Sequence, residues 1–510
     1  MSKSPSLEDI TNLCIRRGFF FQSSRIYGSL SGFFDYGPLG TEMRIEVLNS
    51  WWDFFVRSRD DIVGIYGSII THPKVWVASG HVESFIDFIV RCNRCGKEYR
   101  ADHLLEEKGI MVTELTQESL IKLLKENNVR CPSCGGELSE PEPFNLMFYV
   151  SVGPKGKSSI PTYLRPETAQ LMFVNFKDIY VSMRLKLPFG IAQVGKAFRN
   201  EISPRNFLFR IREFEQMEIE YFVNPKKMDE CPYFSEVKDV KVQVLSAEMQ
   251  EKGRKEGREM TIGEAYEDGI ITTKWHAYWI ALSLKWLIDI GLSPKRLRIR
   301  EHVKTELAHY AIQTFDVEYL FPYMGWKEIE GISNRSDYDL KRHQEYSGKD
   351  LSILDGEEKV IPYVIEPSFG LERIILALIT DSYNIISNRL VLSLHPKVAP
   401  VKVGVYPLVN KEEFVKKARE VYRMVRQRYL SIYDESGSIG RRYARSDEIG
   451  VPLGITIDGQ TLEDNTVTLR FRDTRAQIRV KIDNIIDKIE EILSKWDEYE
   501  KLVRVEASSQ

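Results

Sequence analysis

Apolar positions recur at two spacings along this chain, and the changes between them mark its elements. Residues 42–56 carry apolar side chains at helical spacing, within a region, 1–90, that alternates helix-like and strand-like signals. Residues 116–127 read as a charged amphipathic helix inside an insert, 91–140, that is bounded by cysteines. Residues 145–225 are strand-rich, and within them residues 198–222 alternate as strand, Pro-containing turn and strand. Residues 234–270 are charged and polar, which predicts a helix and an excursion from the core. An apolar helical run follows at 273–290, then a mixed segment to Asp339, then a strand running into a helix at 361–379. Pro396 and Pro400 interrupt the pattern and predict a linker. Beyond it, strands at 401–407, 454–458, 466–471 and 477–481 alternate with helices at 412–429 and 484–496, which predicts a small α/β domain. Two units result: residues 1–395, holding the insert at 91–135 and the 234–270 excursion, and residues 400–510.

Composition adds little to that outline. Hydrophobic residues make up 43% and charged residues 28%, the balance of an ordinary folded chain, and the net charge is −3. Binding to a polyanion therefore has to use local basic patches. No run approaches the ~18 apolar residues of a membrane span, and the first residues lack the apolar core of a secretory signal, so a cytoplasmic location is expected. Four of the six cysteines pair as Cys92-x2-Cys95 and Cys131-x2-Cys134 in turn-forming surroundings. Four soft thiolates predict a closed tetrahedral Zn²⁺ site with a structural role.

Several segments carry candidate chemistry. The 198–222 hairpin sets Arg199, Arg210 and Arg212 beside Glu201, Glu213, Phe209 and Phe214, which suits a nucleotide: guanidinium forks for phosphate and a flat ring for a base. For a generic hairpin of arginine and glutamate, a solvated surface with cross-strand ion pairs is the favoured reading. Residues 164–170 (LRPETAQ) place Pro166 and Glu167 at a predicted helix start, a pattern that plain capping also explains. Residues 363–373 (YVIEPSFGLER) deliver Glu366 and Ser368 on a strand, Gly370 at a close approach and Arg373 one turn into a helix. Residues 326–340 form another strand bearing carboxylates. Gly153-Pro-Lys-Gly-Lys-Ser158 lacks the first glycine of a phosphate loop and reads as a polar loop.

Taken in order, these segments resemble the glycyl-tRNA synthetases of class II, in the homodimeric form. The likeness extends to residues 33–40 (FFDYGPLG), 78–81 (ASGH) and 99–104 (YRADHL). It implies an α+β fold: an antiparallel catalytic sheet flanked by helices, a zinc-finger-like insert and a C-terminal α/β anticodon-binding domain. ATP, glycine and tRNA-Gly are the implied partners, with Mg²⁺ accompanying ATP, and a homodimer forms through the 42–56 helix and the strand toward Pro73. By position, Arg199 bridges the substrate carboxylate and the α-phosphate, Glu201 meets the adenine amino group, Phe214 stacks on the base and Arg373 holds the γ-phosphate. Asn200, Phe209, Arg210, Ile329 and Gly370 complete the ATP site, and Glu328 is the candidate for Mg²⁺. Glu167, Glu218 and Glu366 surround the glycine ammonium, with Ser368 by the α-carbon and Arg100 nearby. Arg441, Arg442 and Arg445 are the candidate tRNA contacts. A synthetase for another amino acid, or a non-catalytic relative that binds nucleic acid, are the competing readings, and a third, a zinc-ribbon nucleic-acid binder, accounts only for residues 91–135. The second should lack the ATP arginines, yet Arg199 and Arg373 are both present.

Overall fold

The computed structural model describes residues 4–110, 112, 116–154 and 159–499. Residues 155–158 of the Gly153 loop and residues 500–510 lie outside the described residues. A nine-stranded sheet organises the larger unit. Its strands are β1 (Ile62–Ile65), β2 (Phe189–Phe198), β3 (Glu213–Val223), β4 (Lys241–Leu245), β5 (Arg258–Thr261), β6 (Leu297–Glu301), β7 (Gln313–Phe321), β8 (Gly325–Ser336) and β9 (Tyr363–Gly370). They lie in the order β5-β4-β6-β7-β8-β9-β3-β2-β1. From β6 to β2 every pairing is antiparallel, while β4 pairs β6 and β1 pairs β2 in parallel.

The two-residue period of a strand divides this sheet chemically. On β3, Met217, Ile219 and Tyr221 point to an apolar core, while Phe214, Gln216 and Glu218 point to the opposite face. On β9, Ile365 and Phe369 join the same core, and Glu366, Ser368 and Gly370 face the other way. The apolar face is covered by helices α1 (Pro38–Trp52) and α3 (Lys274–Asp289), and aromatic rings fill the layer between. Trp286 meets Phe369 edge-on at 5.3 Å, Trp51 meets Phe369 at 6.0 Å and Trp279 meets Tyr221 at 5.0 Å. The polar face is framed by α2 (Ala169–Val174), α4 (Tyr338–Ser347) and the start of α5 (Leu371–Ser382).

The structure corrects the reading of 234–270. Instead of leaving the core, this segment contributes β4 and β5 and so extends the sheet to its edge. Its dense charge is that of an edge, where one flank and much of one face meet water. Pro166 and Glu167 also precede α2 rather than open it; Thr168 is the N-cap and Ala169 begins the helix.

Residues 86–145 form the insert, a three-stranded sheet of Ile86–Arg91, Glu98–Arg100 and Glu142–Asn145 packed on helices Ala101–Glu106 and Gln117–Glu126. The chain leaves and returns side by side, since Ile86 pairs with Asn145.

The C-terminal unit is a second α/β body. Its strands β10 (Val403–Pro407), β11 (Ser431–Tyr433), β12 (Leu453–Ile457), β13 (Thr466–Phe471) and β14 (Gln477–Lys481) lie in the order β11-β10-β12-β13-β14. Helices α6 (Glu412–Arg426), α7 (Ile439–Asp447) and α8 (Ile485–Ser494) accompany them. Where the two units meet, Arg16 and Arg17 both reach Glu448, Lys402 pairs with Glu46 at 3.2 Å, and Ser393 donates to Asp473 at 2.8 Å.

The aromatic layer gives a stability test. Trp286 is fully buried and touches Phe55 and Phe369. Trp286→Ala is expected to cost about 3–5 kcal/mol, because the surrounding rings cannot close the cavity. Urea unfolding followed by fluorescence reads the loss as a lower midpoint for the larger unit.

Candidate active site

The polar face of the sheet lines one cavity whose two ends differ in charge. At the first end carboxylates converge. Glu218, on β3, accepts from the Thr168 backbone N–H at 3.0 Å, from Ser368 Oγ at 2.6 Å and from Gln216 Nε2 at 2.8 Å, and also from the Thr168 hydroxyl. Glu366, on β9, accepts from Arg335 Nη1 at 2.7 Å. Glu167 accepts from Gln170 at 2.9 Å and lies 3.2 Å from His81 Nε2. All three glutamates are buried.

Arg335 holds this end together. It is 1% exposed and donates to Asp339 at 2.7 and 2.9 Å as well as to Glu366. Its guanidinium lies 3.8 Å over the Tyr310 ring and 5.3 Å from Phe173. Burial pushes Glu366 up to about 8 against the pull of Arg335, with Glu218 and Glu167 adding to the rise. Burial and then Glu167 raise Glu218 too. Burial also works against the charge on Glu167, but His81 and Arg335 hold its carboxyl below the usual range. Burial first, and then the neighbouring carboxylates, favour the neutral forms of Glu366 and Glu218.

The second end is built from arginines and rings. Arg199, just past the end of β2, lies 5.3 Å from the Phe214 ring and 5.4 Å from Phe85, and its Nε donates to the Pro166 carbonyl at 3.1 Å. Arg210 pairs with Glu201 at 2.7 Å. Arg373, on the first turn of α5, pairs with Glu328 at 3.0 Å and covers the Phe209 ring at 4.5 Å. Ile329 and Gly370 complete this wall. The β2–β3 hairpin and the β9–α5 junction thus bring guanidinium groups and flat rings to this end, where Glu201 and Glu328 pair with Arg210 and Arg373, while Glu167, Glu218 and Glu366 meet at the other.

Some expected residues lie elsewhere. Arg100 does not line the cavity: it pairs with Asp87 at 2.6 Å and Asp102 at 2.5 Å inside the insert. Asn200 does not line it either; its backbone N–H donates to the Leu146 carbonyl at 2.7 Å. Arg442 is 2% exposed and is spent on the carbonyls of Pro407, Glu435 and Gly437, so it belongs to the interior of the C-terminal unit and is out of reach of a phosphate. Arg445 pairs with Asp434 at 2.5 Å, and Arg441 is exposed. The residues that sequence reasoning missed are Gln216, His302, Tyr310, Asp316 and Arg335. Gln216 is two positions before Glu218 and shares its face, which the period of the strand discloses. Arg335 lies in a strand read only for its carboxylates. Nothing local marks His302 or Tyr310.

The four cysteine sulfurs lie within 4.8 Å of one another. Cys92 Sγ is 3.5 Å from Cys134 Sγ, and Cys95 Sγ is 3.6 Å from Cys131 Sγ. Thiolates on a tetrahedral ion at ~2.3 Å would be about 3.8 Å apart, so both the donor set and its spacing fit zinc.

A largely antiparallel sheet with this two-ended cavity, joined to a separate α/β unit, is the architecture of a class II aminoacyl-tRNA synthetase. Residues 158–383 match the model of the tRNA synthetase class II core domain (G, H, P, S and T), and residues 402–492 match that of the anticodon binding domain. The chain is 43% identical to the glycine–tRNA ligase of Treponema denticola, over 95% of this chain and 96% of that protein. It is 40% identical to that of Methanocaldococcus jannaschii, over 95% and 99%, and 43% identical to that of Caldanaerobacter subterraneus, over 96% and 98%. The chain belongs to the glycine–tRNA ligase family.

Removing Arg335 tests the electrostatic account without any assay of activity. Arg335→Met keeps most of the volume but leaves Asp339 buried without its cation and takes from Glu366 its hydrogen-bond donor, and is expected to cost about 3–5 kcal/mol. Equilibrium unfolding in urea at neutral pH measures it.

Proposed function

We propose that this chain activates glycine with ATP and then esterifies the 3′ end of tRNA-Gly. The observation that carries the reading is the convergence of Glu167, Glu218 and Glu366 on one small end of the cavity, with Ser368 beside them. Glycine is small, and at ~1.5 kcal/mol per heavy atom its binding is limited to roughly 7–8 kcal/mol. Its ammonium is its one cationic handle, so clustered carboxylates are the available source of affinity.

In this reading the glycine carboxylate attacks the α-phosphate of ATP, forming glycyl-adenylate and releasing pyrophosphate. Both reactants are anionic. Arg199 screens the carboxylate and α-phosphate, and Arg373 draws the distal phosphate to the far end, which holds the two reacting groups in line. Phe214 receives the adenine ring and Glu201 its amino group. The terminal ribose hydroxyl of the tRNA then attacks the adenylate carbonyl and AMP leaves. Mg²⁺ bound with ATP supplies further charge neutralisation. Glu328 suits it, since this ion takes one or two carboxylates and leaves its other positions to phosphate and water.

Zinc on Cys92, Cys95, Cys131 and Cys134 would hold the insert as a closed structural site. Arg441 and Arg445 are the tRNA contacts we retain in the C-terminal unit, and a homodimer would form through α1 and β1. No helix among the described residues is long and apolar enough to cross a membrane, and we place the activity in the cytoplasm.

Two outcomes are expected. In glycine-dependent ATP–pyrophosphate exchange, Glu218→Gln should raise the glycine KM about tenfold to a hundredfold while ATP binding persists, the range of a lost charge-assisted hydrogen bond of ~1.5–3 kcal/mol. In the parent enzyme glycine KM should fall as pH rises toward about 8, because the ammonium needs Glu366 ionised and Glu366 keeps its proton below that value. An unchanged glycine KM in the variant removes the pocket assignment. Separately, elemental analysis of the purified chain should find zinc. Cys131→Ser or chelation should expose the insert to protease with the catalytic sheet still folded, whereas metal-free, protease-resistant protein would refute the site.

A further inference from the structure

The carboxylate end of the cavity is walled by acidic groups, by the short side chains of Thr314, Ser333 and Ser368, by Gly331, and by one large ring, Tyr310. That ring is fixed in place. Its face lies 3.8 Å from the Arg335 guanidinium, which Asp339 and Glu366 hold from two sides, and His309 packs edge-on against it at 5.3 Å. The ring cannot slide without breaking the stack on Arg335. The small groups opposite are fixed as well: Ser368 donates to Glu218 at 2.6 Å, and Thr314 and Ser333 share a hydrogen bond of 3.0 Å.

We propose that Tyr310 is the specificity-determining wall of the amino-acid subsite, closing the space beside the α-carbon so that even a methyl side chain is refused. The inference rests on the reading of this pocket as a glycine site. Glycine and alanine present the same ammonium and the same carboxylate, so the glutamates and Arg199 cannot tell them apart. Volume is the remaining difference. A single methylene is worth about 1–3 kcal/mol in an apolar pocket that can yield, so refusal beyond that needs a wall that does not move. Of the groups around the carboxylates, Tyr310 alone combines bulk with a clamped position, and it can be shortened without removing a charge.

The test is ATP–pyrophosphate exchange by the full chain with glycine and with alanine, for the parent enzyme, Tyr310→Ala, Tyr310→Leu and Tyr310→Phe. Tyr310→Ala and Tyr310→Leu are expected to raise kcat/KM for alanine relative to glycine by roughly tenfold or more. Tyr310→Phe, which keeps the ring, should keep the refusal of alanine. A glycine-to-alanine ratio unchanged in both shortened variants overturns the proposal. If Tyr310→Ala does not fold, Tyr310→Leu, which retains apolar bulk against Arg335, decides alone. Should the shortened variants bind ATP yet exchange with neither amino acid, calorimetry of alanine binding reads the same question: binding in the variants and none in the parent supports the wall, and none in either overturns it. Absence of glycine exchange in the parent enzyme would instead remove the reading of the pocket.

Discussion

Negative charge confined away from water is the constraint around which this molecule is arranged. Glu167, Glu218, Glu220, Glu366 and Asp339 are all buried, and Arg335 is the guanidinium among them. Glu220 shows how the tension is relieved. The β3–β9 register, with Glu218 opposite Ser368 and Tyr221 opposite Ile365, sets it across from Glu366. Neither of its side-chain oxygens has a partner. Burial, and then the charge of Glu366, push it well above the ordinary carboxylate range. Two carboxyls facing each other across a ladder cannot both ionise cheaply, so the inner one keeps its proton and the outer one faces the cavity.

That arrangement is possible because the other face of the same strands is so apolar. Trp51, Trp279, Trp286, Phe55 and Phe369 form a layer behind the sheet. Burying it supplies the stabilisation against which the crowded polar face is set. The sheet therefore separates two tasks by side-chain parity: on β3, Met217, Ile219 and Tyr221 hold the fold, while Phe214, Gln216 and Glu218 face the cavity. The hairpin and the β9–α5 junction then add guanidinium groups and flat rings away from the Glu167, Glu218 and Glu366 cluster, which gives a single cavity two chemically different ends.

Much of this was legible in the sequence, for reasons that differ by element. The hairpin of β2 and β3, the strand–helix junction at Arg373 and strands β13 and β14 follow from local period and turn chemistry, and their predicted limits lie close to the observed ones. The converging roles of Glu167, Glu218 and Glu366 came from resemblance, since no local rule brings positions so far apart to one pocket. β5 escapes a local reading because an edge strand carries charge that resembles a solvated helix, and β4 because its parallel pairing with β6 is a long-range event. Two of the arginines are held differently from the expectation. Arg442 looked like a surface cation, yet three carbonyls of its own domain enclose it. Arg100 looked like a pocket residue, yet Asp87 and Asp102 claim it. Arginine's five donors allow either fate, and tertiary context decides.

The pairing of Ile86 with Asn145 has a further consequence. A segment that departs and returns at neighbouring positions is topologically a closed side loop on the main chain. Lengthening such a loop is thermodynamically mild, because each doubling adds only about 0.6 kcal/mol of closure entropy. The catalytic strands need not shift register when the segment grows, shrinks or exchanges its tip. The insert is thus the place where descendants of this sequence can change size freely, while the strands on either side of it stay under the strict geometry of the sheet.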